Sequence, residues 1–122
     1  MLVKATREGL VGLTTASGWV IDDVVRFCAL PSTKALHRRV RITNPLNGRV
    51  VIAQVLDVGP WNEHDDAYVL QGARPLAEIN VKVDRHGNET NGPTNGAGID
   101  LGQAVWLALD MKGNTDVEWE FV

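Results

Sequence analysis

Short alternating runs of apolar and polar residues dominate the chain, and they predict strands rather than long helices. The clearest run is residues 39–43 (RVRIT), in which every second residue is apolar, as in a half-buried strand. Asn47-Gly48 then suits a tight turn, and residues 49–56 (RVVIAQVL) form a second apolar run. These segments predict a hairpin whose second strand lies centrally in a sheet, because that strand is apolar on both faces.

Shorter or weaker apolar runs predict further strands on both sides of this hairpin. They are residues 9–14, 19–21 and 27–30 before it and residues 116–122 at the end of the chain. Helical spacing occurs in residues 101–109, where Leu101, Val105 and Leu109 recur every four residues. This segment is the one helix that the pattern predicts.

The stretch from residue 61 to residue 98 differs in composition from the rest of the chain. Residues 87–98 (GNETNGPTNGAG) are too rich in Gly and Asn to build a core, which predicts a loop. Residues 79–84 alternate and are expected to pair in a small hairpin that closes near His86-Gly87. We therefore interpret residues 1–122 as a single domain that carries residues 61–98 as an insertion.

Length and composition limit the class of protein. The chain has 122 residues, 44% hydrophobic and 22% charged, which is ordinary for one globular domain. A single cysteine excludes an intramolecular disulfide framework. No apolar stretch is long enough to span a membrane, and the first residues do not predict a signal peptide. A net charge of −3 argues against a dedicated nucleic-acid binder.

Charge is distributed unevenly between the two halves of the chain. Residues 1–56 hold eight Lys or Arg and three Asp or Glu, whereas residues 57–122 hold four and twelve. The asymmetry predicts either one basic and one acidic face or two halves that neutralise each other in the fold.

Four short motifs stand in order along the chain. They are Thr15-Ala16-Ser17-Gly18, residues 40–44 with 47–49 (VRITN and NGR), Asp57-Val58-Gly59-Pro60, and Gly98-Ile99-Asp100-Leu101. In order and predicted structure they resemble the TASG, VRVTN…NGR, DRGP and IDLS segments of the rare lipoprotein A family of barwin-like lytic transglycosylases. The resemblance covers roughly residues 10–60 and 98–122. It implies a mainly β fold, a six-stranded double-psi β-barrel with one short α-helix and a long loop insertion.

The same resemblance implies a function on cell-wall polysaccharide. Proteins of this kind share a polysaccharide groove, and several use the Asp of the IDL segment as the catalytic acid. Carried over by motif, that residue is Asp100, and Asp57 of the DVGP turn is expected beside it. The implied activity is lytic-transglycosylase-like cleavage of peptidoglycan. The implied location is periplasmic, extracellular or virion-associated.

The chemistry supports a carboxyl group in this role independently of the resemblance. Cleavage of a glycosidic bond requires protonation of the leaving oxygen, and one carboxyl group can act first as acid and then as base. An acid needs a raised pKa, whereas a helix N-terminus next to Asp100 would lower it. Burial or the charge of Asp57 must therefore outweigh the helix dipole. The structural alternative is that Asp100 caps the helix and Asp57 caps a turn.

The chain departs from the family pattern at several positions. Trp19 replaces the Glu that follows TASG, Phe27 or Cys28 stands where the family has His, and Val58 replaces the Arg of DRGP. These departures keep a second hypothesis open, a non-catalytic glycan-binding module or a phage virion or lysis module on the same fold.

Substrate-binding candidates come from aromatic, hydroxyl and cationic side chains near the motifs. Trp61, Tyr68 and Trp19 could stack on sugar rings, with a core position as the alternative for Trp61. Ser17 belongs to the TASG segment. Arg41 could bind an anionic polymer or lie on a solvated face of the hairpin.

Other reactive side chains are expected to be structural. Glu63-His64-Asp65-Asp66 is interpreted as a solvated loop, because adjacent residues cannot all face one ion, and Cys28 is interpreted as a small buried hydrophobe. We expect no metal and no cofactor. The expected partner is a polysaccharide, with no nucleic acid and no membrane, and the expected state is a monomer.

Overall fold

Eight strands and two α-helices make up the fold in a computed structural model, which describes residues 1–84 and 86–122. The strands are β1 Leu2–Glu8, β2 Phe27–Leu30, β3 Arg39–Asn44, β4 Arg49–Val58, β5 Val81–Val83, β6 Glu89–Asn91, β7 Ile99–Gly102 and β8 Asp116–Phe121. The α-helices are α1 Asp66–Gln71 and α2 Gln103–Ala108, and two 3-10 helices span Thr33–Ala35 and Leu76–Ile79. No helix in these ranges is long and apolar enough to cross a membrane.

Six of the strands close into a barrel in the order β1-β7-β2-β4-β3-β8. The pairs β1–β7 and β2–β4 are parallel, and the other four pairs are antiparallel. Closure leaves none of these six strands with an unpaired edge. The predicted mainly β architecture with a six-stranded barrel is confirmed.

The predicted central hairpin is present as β3 and β4. Arg39 pairs with Gln54 and Asn44 pairs with Arg49, and the turn between them contains Gly48 at a φ of 75°. Because this positive φ suits glycine, the Asn-Gly signal located the turn correctly. The predicted strands near residues 27–30 and 116–122 also form, as β2 and β8.

Three sequence expectations need correction. Residues 9–14 and 19–21 are not regular strands but arms of a loop, which backbone hydrogen bonds join around a bridge between Thr14 and Val20. The opening segment, which the pattern left unassigned, is strand β1, since it pairs with β7 and β8 from the far end of the chain. The helix begins at Gln103 rather than Leu101, because residues 99–102 pair with both β1 and β2.

Residues 61–98 pack on the barrel and contain the second α-helix, α1, so the expectation of one helix is also corrected. Tyr68 and Val69 of α1 belong to the main buried cluster. The predicted small hairpin forms from β5 and β6, with Val81 opposite Asn91. The segment is therefore built from local structure that covers part of the barrel.

A second, smaller apolar cluster covers the outer face of the barrel. Ile21, Phe27 and Leu56 are buried there, and Trp19 packs against them from the loop of residues 9–26. Gly102 of β7 lies directly under Phe27, where a Cβ atom would overlap the aromatic ring. The packing of Trp19 on Phe27 holds the loop against β2, and the close approach of Phe27 to Gly102 packs β2 against β7.

Candidate functional site

Strand register places the two predicted aspartates in one row across neighbouring strands. Asp57 of β4 pairs with Ala29 of β2, Ala29 pairs with Asp100 of β7, and Asp100 pairs with Thr6 of β1. Asp57 and Asp100 are thus two strands apart, which corresponds to roughly 10 Å between their Cα atoms. Only the small, buried residue Ala29 stands between them in this row, so the fold brings these two residues together.

Asp100 lies half-buried in strand β7, with the hydroxyl of Thr6 donating a hydrogen bond to its Oδ1. Burial raises the pKa of Asp100, the Thr6 bond opposes this, and the charge of Asp57 raises it further. Gly102 is the N-cap of α2, and Asp100 makes no capping bond to that helix. Asp100 therefore lies in a strand, two residues before the N-cap, rather than at the capping position.

Asp57 connects its own turn to the TASG segment. Its Oδ1 accepts hydrogen bonds from the backbone N–H groups of Ala16 and Val58, each at 2.9 Å. Within the segment, the hydroxyls of Thr15 and Ser17 lie 2.9 Å apart and share a hydrogen bond. Ser17 thus flanks the aspartate, and the two motifs are held in one place.

Glu8, which the sequence interpretation missed, is the third carboxyl group of the site. Burial is the largest cause that raises its pKa to about 9, followed by a hydrogen bond to the side chain of Asp57 and the charges of Asp57 and Asp100. Within the described part of the chain, its buried Oε2 receives no hydrogen bond. At neutral pH Glu8 is therefore protonated and can donate to Asp57. We call Glu8, Asp57 and Asp100 the acidic site.

Strand β1 places Glu8 on the same face as Thr6. Val3 and Ala5 are buried in the core, so Lys4, Thr6 and Glu8 share the opposite face of β1. Because Thr6 faces Asp100, a strand in this position places Glu8 one step farther along the same face. The hydrophobic pattern is too short to reveal this without knowledge of the partner strands.

Cys28 supports the site from inside the barrel. Its thiol is fully buried, and burial raises its pKa, with the charges of Glu8 and Asp100 adding to the effect. The thiol therefore stays protonated, as expected for a small buried hydrophobe.

Trp61 presents an exposed ring near the same face. Its relative exposure is 43%, and its Nε1 donates to the side-chain oxygen of Asn95 at 2.8 Å. The ammonium group of Lys82 lies 5.4 Å from the ring centroid. Lys4, which shares the outer face of β1 with Thr6, donates to the backbone oxygen of Asn95 at 2.7 Å. The ring is therefore held in place while remaining accessible.

The rings of the other two predicted aromatic platforms are more covered than that of Trp61. Tyr68 is only 2% exposed, and its hydroxyl donates to the oxygen of Gly98 and accepts from Trp119 Nε1. Because its faces are covered, the expected sugar contact by Tyr68 is corrected to a core role. Trp19 is half-buried and packs edge-on against Phe27, with ring centroids 4.9 Å apart.

Arg41 lies far from the acidic site. It is on β3, which is opposite β7 in the closed barrel, and it forms an exposed ion pair with Glu120 at 2.7 Å. This arrangement corrects its expected place in the groove to the alternative, a solvated face.

The acidic run at residues 63–66 is part of the framework. Asp65 accepts a hydrogen bond from the backbone of Leu76, and Asp66 accepts one from Ser32 and pairs with Lys34. Throughout residues 1–84 and 86–122, no three His, Cys, Asp or Glu side chains are grouped so that they could hold a metal ion.

The closed six-stranded mixed barrel is a double-psi β-barrel. The chain belongs to the family described as a domain of unknown function (DUF8814), whose model matches residues 1–120. Its structure is similar to that of the Streptomyces papain inhibitor, with a TM-score of 0.55 and 19% identity over 100% of this chain and 93% of the other. A comparison with curated proteins found no match.

Proposed function

We propose that the protein binds a cell-wall glycan, with peptidoglycan as the substrate class, across its acidic site and cleaves it as a lytic transglycosylase does. The observation that carries the proposal is the convergence of the half-buried carboxyl groups of Glu8, Asp57 and Asp100, where burial raises the pKa of both Glu8 and Asp100. Such raised pKa values suit general acids. The ordered motifs that resemble the rare lipoprotein A family support the same class of substrate.

In this mechanism Asp100 acts as acid and then as base. Its carboxyl group gives a proton to the glycosidic oxygen while the bond from that oxygen to the anomeric carbon breaks. The 6-hydroxyl of the same sugar then attacks the anomeric carbon and returns its proton to the Asp100 carboxylate. The products are a 1,6-anhydro end and a free hydroxyl on the leaving sugar, and the enzyme regains its starting state.

Asp57 and Glu8 complete the charge arrangement. The two backbone N–H donors hold Oδ1 of Asp57 in place. Glu8 in its protonated form donates to Asp57 and limits the negative charge of the site. The charge of Asp57 raises the pKa of Asp100 and would also stabilise the positive oxocarbenium-like state. Trp61 offers an exposed face for the sugar ring.

Mass spectrometry of purified peptidoglycan after incubation with the full chain tests the proposal. Products that end in 1,6-anhydro sugars are the expected result. Products that end in reducing sugars would show that water, rather than the 6-hydroxyl of the sugar, is the nucleophile. Glycan binding with no product would leave the binding-module hypothesis, and neither binding nor product would contradict a glycan function.

Inhibition of a papain-like cysteine protease is a second candidate function. The loop at residues 10–25 carries exposed apolar side chains next to the site, and such a surface suits contact with a protein. They are Leu10, Val11, Leu13, Val20, Val24 and Val25. A structurally similar protein is a papain inhibitor, although 19% identity establishes a shared fold only. Loss of papain activity on addition of the chain, relieved by Leu13→Asp, would favour this function over glycan cleavage.

A further inference from the structure

A cleft of about 580 Å³ lies at β1, beside the acidic site, since Thr6 lines the cleft and contacts Asp100. This volume is in the range of sites that hold small ligands. Its lining is polar, with Trp106 as its aromatic member, and we call it the cationic cleft. It is lined by Thr6, Arg7, Asn95, Trp106, Lys112 and Asn114.

The cleft carries positive charge and no carboxylate of its own. Arg7 is exposed and forms no ion pair within the described residues, and its guanidinium carbon lies 5.8 Å from the centroid of the Trp106 ring. Lys112 is also exposed and pairs with Asp110 at 2.9 Å. Lys4 contacts Asn95 at the edge of the cleft. Arg7 thus offers an uncompensated cation, which the aromatic ring helps to position.

Thr6 joins the cationic cleft to the acidic site. It lines the cleft, and its hydroxyl donates a hydrogen bond to Asp100. An occupant of the cleft would therefore lie one side chain from the proposed acid. The arrangement places a positive binding region next to a negative reacting region, with Thr6 between them.

We infer that the cationic cleft binds a carboxylate carried by a sugar of the glycan, and that Arg7 is its principal ligand. Guanidinium groups bind carboxylates through two parallel hydrogen bonds, and the amides of Asn95 and Asn114 supply further donors for sugar hydroxyls. The inference rests on the proposed function, since it names the substituent that the same groove selects. A carboxylate-binding cleft would make the protein specific for acidic glycans rather than neutral ones.

Calorimetric binding of matched probes tests this specificity. The probes are the disaccharide of N-acetylglucosamine and N-acetylmuramic acid, and trigalacturonate, each beside a form whose carboxyl groups are amidated. We expect at least one charged probe to bind about tenfold more tightly than its amide, which is the effect of one charge-assisted pair. The probe that shows this preference distinguishes a muramic acid from a uronic acid. Equal affinity for charged and amidated forms of both probes would overturn the inference.

Variants of Arg7 locate the effect. Arg7→Met should abolish the preference for the charged probe over its amide, and Arg7→Lys should retain part of that preference. Arg39→Met is the matched control, because Arg39 is exposed on β3, away from β1. A preference that survives Arg7→Met, or is lost equally in the control, would contradict the assignment. A thermal melt of each variant confirms folding, and Arg7→Lys provides the test if Arg7→Met does not fold.

The inference and the proposed cleavage can fail separately. A chain that selects the charged probe but releases no product would overturn the proposed cleavage and support the cleft. A chain that cleaves peptidoglycan but binds charged and amidated probes equally would overturn carboxylate binding by the cationic cleft and leave the proposed cleavage in place.

Discussion

Glu8 at the end of β1 places its carboxyl group in hydrogen-bonding contact with that of Asp57 in β4, although two strands separate their positions in the barrel. The contact is compatible with a folded chain because Glu8 holds a proton over most of the pH range, with a pKa of about 9. One carboxyl group of the acidic site thus serves as a hydrogen-bond donor at neutral pH.

Folding stability should therefore depend on pH through Glu8. Since its folded pKa lies above the unfolded value of 4.5, the native state retains a proton that the unfolded chain releases. Stability falls as pH rises from about 4.5 to 9, and Glu8→Gln removes this loss. By urea denaturation, Glu8→Gln should gain roughly 1–3 kcal/mol over the wild type between pH 5 and pH 8.

Glu63→Gln is the control for this measurement, since Glu63 is exposed and its side chain makes no hydrogen bond within the described residues. A stability difference between Glu8→Gln and wild type that stays constant from pH 5 to pH 8 would show that Glu8 is ionised at neutral pH.

Removal of the Thr6 hydroxyl should move the pH profile of glycan cleavage. The Thr6 bond lowers the pKa of Asp100, so Thr6→Val raises that pKa further. Because an acid is active in its protonated form, activity would persist to higher pH in the variant. Cleavage rates across the pH range measure the shift, with Thr43→Val on β3 as the control. An alkaline limb that does not move would argue against Asp100 as the acid.

Gly102 should tolerate no side chain. A Cβ atom at this position overlaps the ring of Phe27, so Gly102→Ala must displace either the ring or β7. We expect a loss of about 2 kcal/mol or more in urea denaturation. Gly113→Ala is the matched control, because nothing lies within 4 Å of a Cβ there, and its effect should stay within about 0.5 kcal/mol. Equal stability of the two variants would contradict the packing of Phe27 on β7.

Trp61 and Tyr68 should separate glycan binding from core packing. Trp61→Ala removes an exposed ring and should weaken glycan affinity roughly three- to tenfold with little effect on stability. Tyr68→Phe leaves Trp119 Nε1 and the oxygen of Gly98 without a partner and should cost about 1–3 kcal/mol of stability at unchanged affinity. Calorimetry measures the glycan affinity, and urea denaturation measures the stability. A loss of stability in Trp61→Ala together with a loss of affinity in Tyr68→Phe would contradict these roles.

Local signals made part of the fold predictable from sequence. The β3–β4 hairpin was predictable because its turn, its alternation and both of its strands lie within residues 39–58. Strand β1 was not, because its hydrogen-bonding partners are β7 and β8, at the other end of the chain. Its seven residues are too few for the alternation alone to distinguish a strand from a polar terminus.

The candidate site divides in the same way. Asp57 and Asp100 lie within short motifs, so a resemblance could locate them. Glu8 lies in no motif, and its raised pKa comes from burial and from residues that only folding brings near. Tyr68 has an apolar ring with a polar tip, which suits a groove or a core equally. In the structure, hydrogen bonds to Gly98 and Trp119, which lie in distant segments, hold Tyr68 in the core.

The most direct test of the central claim is the effect of Asp100→Asn on product formation from peptidoglycan. We expect this variant to fold, to bind the glycan with wild-type affinity and to release no 1,6-anhydro products, because the proton donor is gone. Asp23→Asn, which changes an exposed aspartate outside the acidic site, should retain full activity. Wild-type product levels from folded Asp100→Asn would contradict the account.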